Sequence, residues 1–304
     1  MIPAMTTAAS AKLIRIGHSP DPDDAFMFYA LAKEKIPMQG FNVKHVIEDI
    51  ESLNERALQQ GKHRKAQPLE VTAVSCHAYA YMADRYLVLR SGASVGDNYG
   101  PILVARDGAR YPLTISKTKR DPSFVRGKKI AVPGKLTTAY LILQLFEADF
   151  TPVFIPFDKI IDAVRSGAAD LGLLIHEGQI THAKSKLVRV LDLGQWWYEK
   201  TKLPLPLGID VVRRDLPREQ IESFARLFKA SIEYAVKHRK EALQYALQYG
   251  RGISEKLGDR FVGMYVNDFT LDLGPRGEKG LRLLYKTALD KGLLPSAVPL
   301  EFAG

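Results

Sequence analysis

Short apolar runs, set off by polar turns rich in glycine and proline, alternate along the chain with segments of helical spacing. Residues 13–17, 41–50, 69–75, 86–90 and 101–105 read as strands, because they are brief, rich in branched side chains and bounded by turn residues. Helical spacing follows the first near residue 21, the second near residue 51 and the third at 76–82. Residues 59–67 and 106–126 are polar connections. The pattern then restarts, with strands at 129–132, 151–156, 169–175 and 187–193, helices at 139–147 and 158–165, and a short helix at 176–182. A strand at 209–213 precedes four helices, at about 217–238, 239–249, 254–267 and 277–291.

This alternation predicts an α/β fold. The restart predicts a smaller lobe, 106–207, inserted into a larger discontinuous lobe, 1–105 plus 208–304. Leu203-Pro204-Leu205-Pro206-Leu207-Gly208 reads as a rigid crossing segment and hinge. The cleft between two lobes is the default ligand site, and in open α/β sheets ligands lie at the carboxyl ends of strands.

Those strand ends carry the candidate residues. Ala169-Asp170-Leu171-Gly172-Leu173-Leu174-Ile175-His176-Glu177 is a buried strand that stops at a histidine and a carboxylate. A histidine there can exchange a proton near neutrality, since its ordinary pKa is about 6.5. Alone, the segment favours a capping or core histidine; the other strand ends supply the case for chemistry. Ser19 lies in the turn after the first strand and Ser75 ends the third. Asp21, Pro22, Asp23 and Asp24 suit helix initiation, with Asp21 as cap and the acids at the positive end. A metal site from the three acids has little support, as the glycine and distant glutamate of an EF-hand are absent. Pro133-Gly134-Lys135-Leu136-Thr137-Thr138 is a helix N-cap or an anion seat; it lacks the upstream glycine of a P-loop. Cys76 and His77 read as packing residues, and His176 with His182 does not have the two-histidine zinc spacing of four.

Composition narrows the classes. A chain of 304 residues with 46% hydrophobic content fits two packed domains. The net charge of +9 is scattered. Its densest runs, Lys62-His63-Arg64-Lys65 and Lys117-Thr118-Lys119-Arg120, sit in polar loops without interleaved aromatics, which argues against nucleic acid. No run approaches the roughly 18 apolar residues of a membrane span, and residues 1–12 lack a secretory pattern. The single cysteine fits a reducing compartment. The expectation is a cytoplasmic protein taking a small anionic, carboxylated ligand, with a homodimer left open.

Seven segments, in order over nearly the whole chain, carry a resemblance. They are Ser19-Pro20-Asp21-Pro22-Asp23-Asp24-Ala25-Phe26, Val74-Ser75, Tyr99-Gly100-Pro101, Val132-Pro133-Gly134-Lys135-Leu136-Thr137-Thr138-Ala139-Tyr140, Ile175-His176-Glu177, the proline segment 203–208, and Tyr265-Val266-Asn267. The chain resembles the 1,4-dihydroxy-6-naphthoate synthase family of the futalosine route to menaquinone. That family lies in a wider superfamily with a two-lobed, periplasmic-binding-protein-like (type II) fold. The resemblance implies a carbon–carbon lyase that converts cyclic dehypoxanthine futalosine to the naphthoate and a sugar-derived fragment, without metal or organic cofactor. It implies His176 as proton acceptor, and Thr137, Thr138 and Ala73-Val74-Ser75 as substrate-binding, beside Ser19 in the same cleft. The chemistry fits: breaking the bond needs a base, a polar cradle and exclusion of water, and aromatisation supplies driving force.

The chain departs from the family pattern at Asp23-Asp24, where an asparagine–aspartate pair is usual, and at Ala73, where lysine is common. Residues 59–67 and 112–126 look longer than usual. A non-catalytic solute-binding protein and a chorismate dehydratase-like enzyme of the same architecture are the alternative readings.

Overall fold

A computed structural model describes residues 11–108 and 121–304. The basic run at 117–120 and most of the 106–126 connection lie outside the described residues.

Twelve strands among the described residues form two sheets. They are β1 (Lys12–His18), β2 (Phe41–Ile47), β3 (Val71–Ser75), β4 (Tyr86–Leu89), β5 (Ser94–Gly96), β6 (Ile102–Arg106), β7 (Lys129–Val132), β8 (Thr151–Phe154), β9 (Leu171–Leu174), β10 (Leu187–Asp192), β11 (Leu205–Arg213) and β12 (Phe302–Ala303). The larger sheet runs β12-β4-β11-β3-β1-β2, with β5 beside β11; the smaller runs β10-β6-β9-β7-β8. Strands β2, β1 and β3 are parallel, as are β8, β7 and β9, so their carboxyl ends point the same way within each sheet. β11 runs antiparallel to β3, which sets its beginning beside the end of β3.

The first crossing between sheets falls earlier than the sequence suggests. β6 pairs with β9 and β10, so 102–106 belong to the smaller sheet and the chain crosses at 97–101 rather than near residue 105. An apolar strand carries no mark of which sheet it joins. The crossing is tight: a Cβ on Gly96 or on Gly194 would lie 2.0 Å from the Tyr99 carbonyl oxygen, so both positions need glycine for the backbones to approach. The return crossing also differs. Residues 205–208 are the start of β11 and pair with β5, with Pro206 at a register irregularity, the kind of place where a sheet tolerates proline. The helix Leu193–Thr201 makes the passage instead.

The helix Pro22–Ala32 fixes the acidic segment. It is apolar on nearly every side and buried from Pro22 to Leu31, as a helix enclosed on all faces must be. Phe28 stacks on Phe228 and on His18, each at 4.8 Å between ring centres. The helix N-terminus is thus held against the end of β1. Among the described residues no helix is long and apolar enough to cross a membrane.

Candidate active site

A cleft with about 700 Å³ of empty space, open solvent included, lies where the ends of β1, β3, β7 and β9 face one another. Ser19, Ala73, Val74, Ser75, Thr137, Thr138 and His176 all line it, so the strand-end residues do converge. Their side chains are engaged in ways the sequence did not reveal.

His176 follows β9 with φ of 53°, a left-handed conformation that is uncommon for a residue with a side chain. This turns the ring across the cleft, where Nδ1 lies 3.1 Å from Oδ2 of Asp21. Nε2 is buried and has no hydrogen-bond partner. Phe157 packs edge-on against the ring at 4.9 Å. Asp21, expected to cap its helix, makes no capping bond with its side chain. Its carboxylate is fully buried: Oδ1 accepts from Arg251 Nη1 at 3.0 Å, while Oδ2 faces the His176 ring without a hydrogen bond. The same Nη1 reaches Oε1 of Glu177 at 2.7 Å, and the guanidinium sits 4.5 Å over the Phe157 ring. Arg251 thereby ties the first and last parts of the chain to the small-sheet strand end. Sequence reasoning missed it, because nothing in a loop after a helix announces a partner so far away.

The hydroxyls are largely committed. Ser19 donates its N–H and its O–H to Asp24 Oδ2, both at 2.7 Å. Thr137 caps the helix Thr138–Phe146 by accepting from Tyr140 N at 3.2 Å and donates to Gly134 O at 2.9 Å. Thr138 donates to Leu207 O at 2.6 Å and accepts from His77 N at 3.1 Å. Neither threonine has a hydroxyl proton left for a ligand. What the helix still offers an anion is its first-turn amides at Thr138 and Ala139, which have no intrahelical partner. Ser75 differs: Asn54 clamps it through Nδ2 to Oγ at 3.1 Å and Oδ1 to the backbone N–H at 2.9 Å. Its own hydroxyl proton stays available.

The turn at 133–136 does bind a carboxylate, but it is the protein's. Both oxygens of Glu51, at 3.0 and 3.2 Å, accept from Leu136 N, and a Cβ on Gly134 would meet that carboxyl at 2.5 Å. Burial pushes the Glu51 carboxyl up. Together with Thr138 to Leu207 and Tyr265 Oη to Gln179 Oε1 at 2.9 Å, this contact draws the two sheets together. Glu51→Ala leaves Leu136 N–H without that partner. A loss of about 1–3 kcal/mol is expected, read as a lower urea midpoint; an unchanged midpoint would remove Glu51 from the contact.

Buried acids crowd the larger-sheet side. Burial, and then the charge of Asp21, lift Asp24 to about 6. Burial first, with neighbouring acids behind it, holds Asp23 and Asp210 well above the ordinary carboxyl range. Asp24 ordinarily titrates near 3.8, so the folded protein takes up a proton between 3.8 and 6. The stability this contributes is complete below 3.8 and is lost as pH rises through 6. Asp24→Asn, neutral throughout, should therefore raise Tm by a few degrees at pH 7.5 and by much less at pH 4, in paired melting curves. Equal gains at both pH values would refute this.

Cys76 and His77, read from the sequence as packing residues, are both buried. Cys76 is fully buried, and burial pushes its thiol up, away from nucleophilic use. Burial lowers His77 to about 4, which keeps it neutral. Among the described residues no group of three or more His, Cys, Asp or Glu side chains is placed to hold a metal ion.

Two sheets with facing strand ends and a cleft between them make this a periplasmic-binding-protein-like fold. The ligand-binding component of an ABC-type import system from Staphylococcus aureus shares it, with TM-score 0.68 at 13% identity over 96% of each chain. At closer range, a family model described as menaquinone biosynthesis matches residues 14–290. A 1,4-dihydroxy-6-naphthoate synthase of Thermus thermophilus is 39% identical over 94% of this chain and 98% of its own. A structure from Archaeoglobus fulgidus superposes with TM-score 0.82 at 47% identity, over 92% of this chain and 98% of its own. The chain belongs to the menaquinone-biosynthesis family, among the enzymes of its 1,4-dihydroxy-6-naphthoate synthase branch.

Proposed function

We propose that the cavity binds cyclic dehypoxanthine futalosine and that His176 Nε2 is the general base for its cleavage to 1,4-dihydroxy-6-naphthoate. One observation carries the reading: one ring nitrogen stands at Asp21, and the other is buried, unpartnered, on a residue that lines the cavity. Asp21 favours the tautomer with the proton on Nδ1, which leaves the Nε2 lone pair free for a substrate proton. Removal of a proton from a hydroxyl lets its electron pair form a carbonyl as the adjoining carbon–carbon bond breaks. The released pair enters the ring system, which becomes aromatic, and the sugar-derived fragment departs. The reaction so written draws on no metal or organic cofactor.

The substrate carboxylate belongs at the amides of Thr138 and Ala139, where a helix N-terminus favours negative charge. Ser75 supplies a hydroxyl proton. The contacts that join the sheets exclude water from the reacting atoms. The partner is a small carboxylated molecule, and the reaction is placed in the cytoplasm. Incubation of the purified protein with cyclic dehypoxanthine futalosine should release the naphthoate, followed by absorbance and by mass. No product with intact, folded protein would refute the assignment.

A further inference from the structure

Two carboxyl groups of the cavity have no part in the chemistry above. Asp210 lies within β11, is 1% exposed, and its Oδ1 is buried without a hydrogen-bond partner. Asp23, at 6% exposed on the Pro22–Ala32 helix, has an Oδ1 in the same condition. Both residues line the cavity. Polar atoms buried this deeply are nearly always partnered, so two such atoms at one cavity point to a ligand that partners them.

The placement of Asp210 is built in. Gly92 adopts φ of 98°, and a Cβ there would lie 2.3 Å from Asp210 Oδ2. The bare glycine backbone makes room for that oxygen. Directly across the ladder stands Ala73, which offers neither charge nor hydrogen bond. Two residues along the same strand, Ser75 shares that face and retains its hydroxyl proton. Asp24, which also lines the cavity, is already taken by Ser19.

We propose that Asp23 and Asp210 are specificity-determining residues that bind the hydroxyl groups of a sugar or polyol portion of the substrate. The proposal rests on the reading of this cavity as the substrate site. A carboxyl group in its acid form donates one hydrogen bond and accepts others, which matches a hydroxyl in both senses. Burial holds both groups toward that form.

Methyl β-D-ribofuranoside is the probe, titrated by ligand-observed NMR against the full chain. Wild type should bind it. Asp210→Leu should weaken binding about five- to tenfold, the size of one lost hydrogen bond, with Tm equal or higher, since a buried unpaired carboxyl is gone. Asp210→Asn and Asp23→Asn, which keep a neutral donor and acceptor, should bind close to wild type. Three results would overturn the proposal: wild type that ignores the riboside, Asp210→Leu that binds as wild type, or asparagine variants that lose as much as leucine. The last would mean that charge is what binds, and so a cationic ligand group. Turnover of cyclic dehypoxanthine futalosine, assayed separately, decides the proposed function without bearing on this titration.

Discussion

Replacement of His176 is expected to lower turnover by about 100- to 10,000-fold, the range a positioned base supplies, with little change in substrate affinity. Two variants separate chemistry from folding. Alanine removes the imidazole but must still take a left-handed backbone, at a cost of about 1–2 kcal/mol. Asparagine fits that conformation better and has no basic nitrogen. Both should melt near wild type, because the residue lies past the end of β9 and outside its ladder. Single-turnover rates with binding measured in parallel decide the matter. A variant with full activity would leave His176 no catalytic role.

Asp21→Asn is the second large effect. The carboxylate stands 3.1 Å from Nδ1, and it is the acidic group at that distance. An amide can donate to Nδ1, which moves the ring proton to Nε2 and ends its use as a base. A loss in kcat on the order of 100-fold is expected, short of the ~10,000-fold of a carboxylate devoted to its histidine. The shortfall reflects the sharing of Asp21 with Arg251. Arg251 keeps Glu177 in the variant, so the tie between sheets survives and KM should move little. A KM that rises while kcat holds would make Asp21 a structural residue.

Much of this site could be read from the chain because strand ends are local features. Ser19, Ser75, Thr137, Thr138 and His176 each follow a short apolar run, and parallel strands bring such positions to one edge. What each side chain does there was not legible. Asp21 before Pro22 has every local mark of a helix cap, and only the fold shows that its carboxylate faces a histidine from the other sheet. Thr138 looked available for a ligand, and Leu207, from a strand much later in the chain, takes its hydroxyl proton. Leu136 offers its amide to Glu51, a residue whose own helix pattern signals only a solvent face. Asp210, within an otherwise apolar strand, carries no motif at all; its meaning depends on Gly92 and Ala73 beside it. The prolines at 204 and 206 misled for a local reason, since proline argues against a strand unless pairing is irregular at that point.

The crystal structure of the His176→Asn variant with cyclic dehypoxanthine futalosine bound tests the central claim most directly. The account predicts the ligand between the two sheets, its carboxylate at the Thr138 and Ala139 amides, and a proton-bearing atom about 3 Å from where Nε2 stands in the wild type. A ligand seated elsewhere, or one that turns only non-acidic carbons toward residue 176, would contradict it.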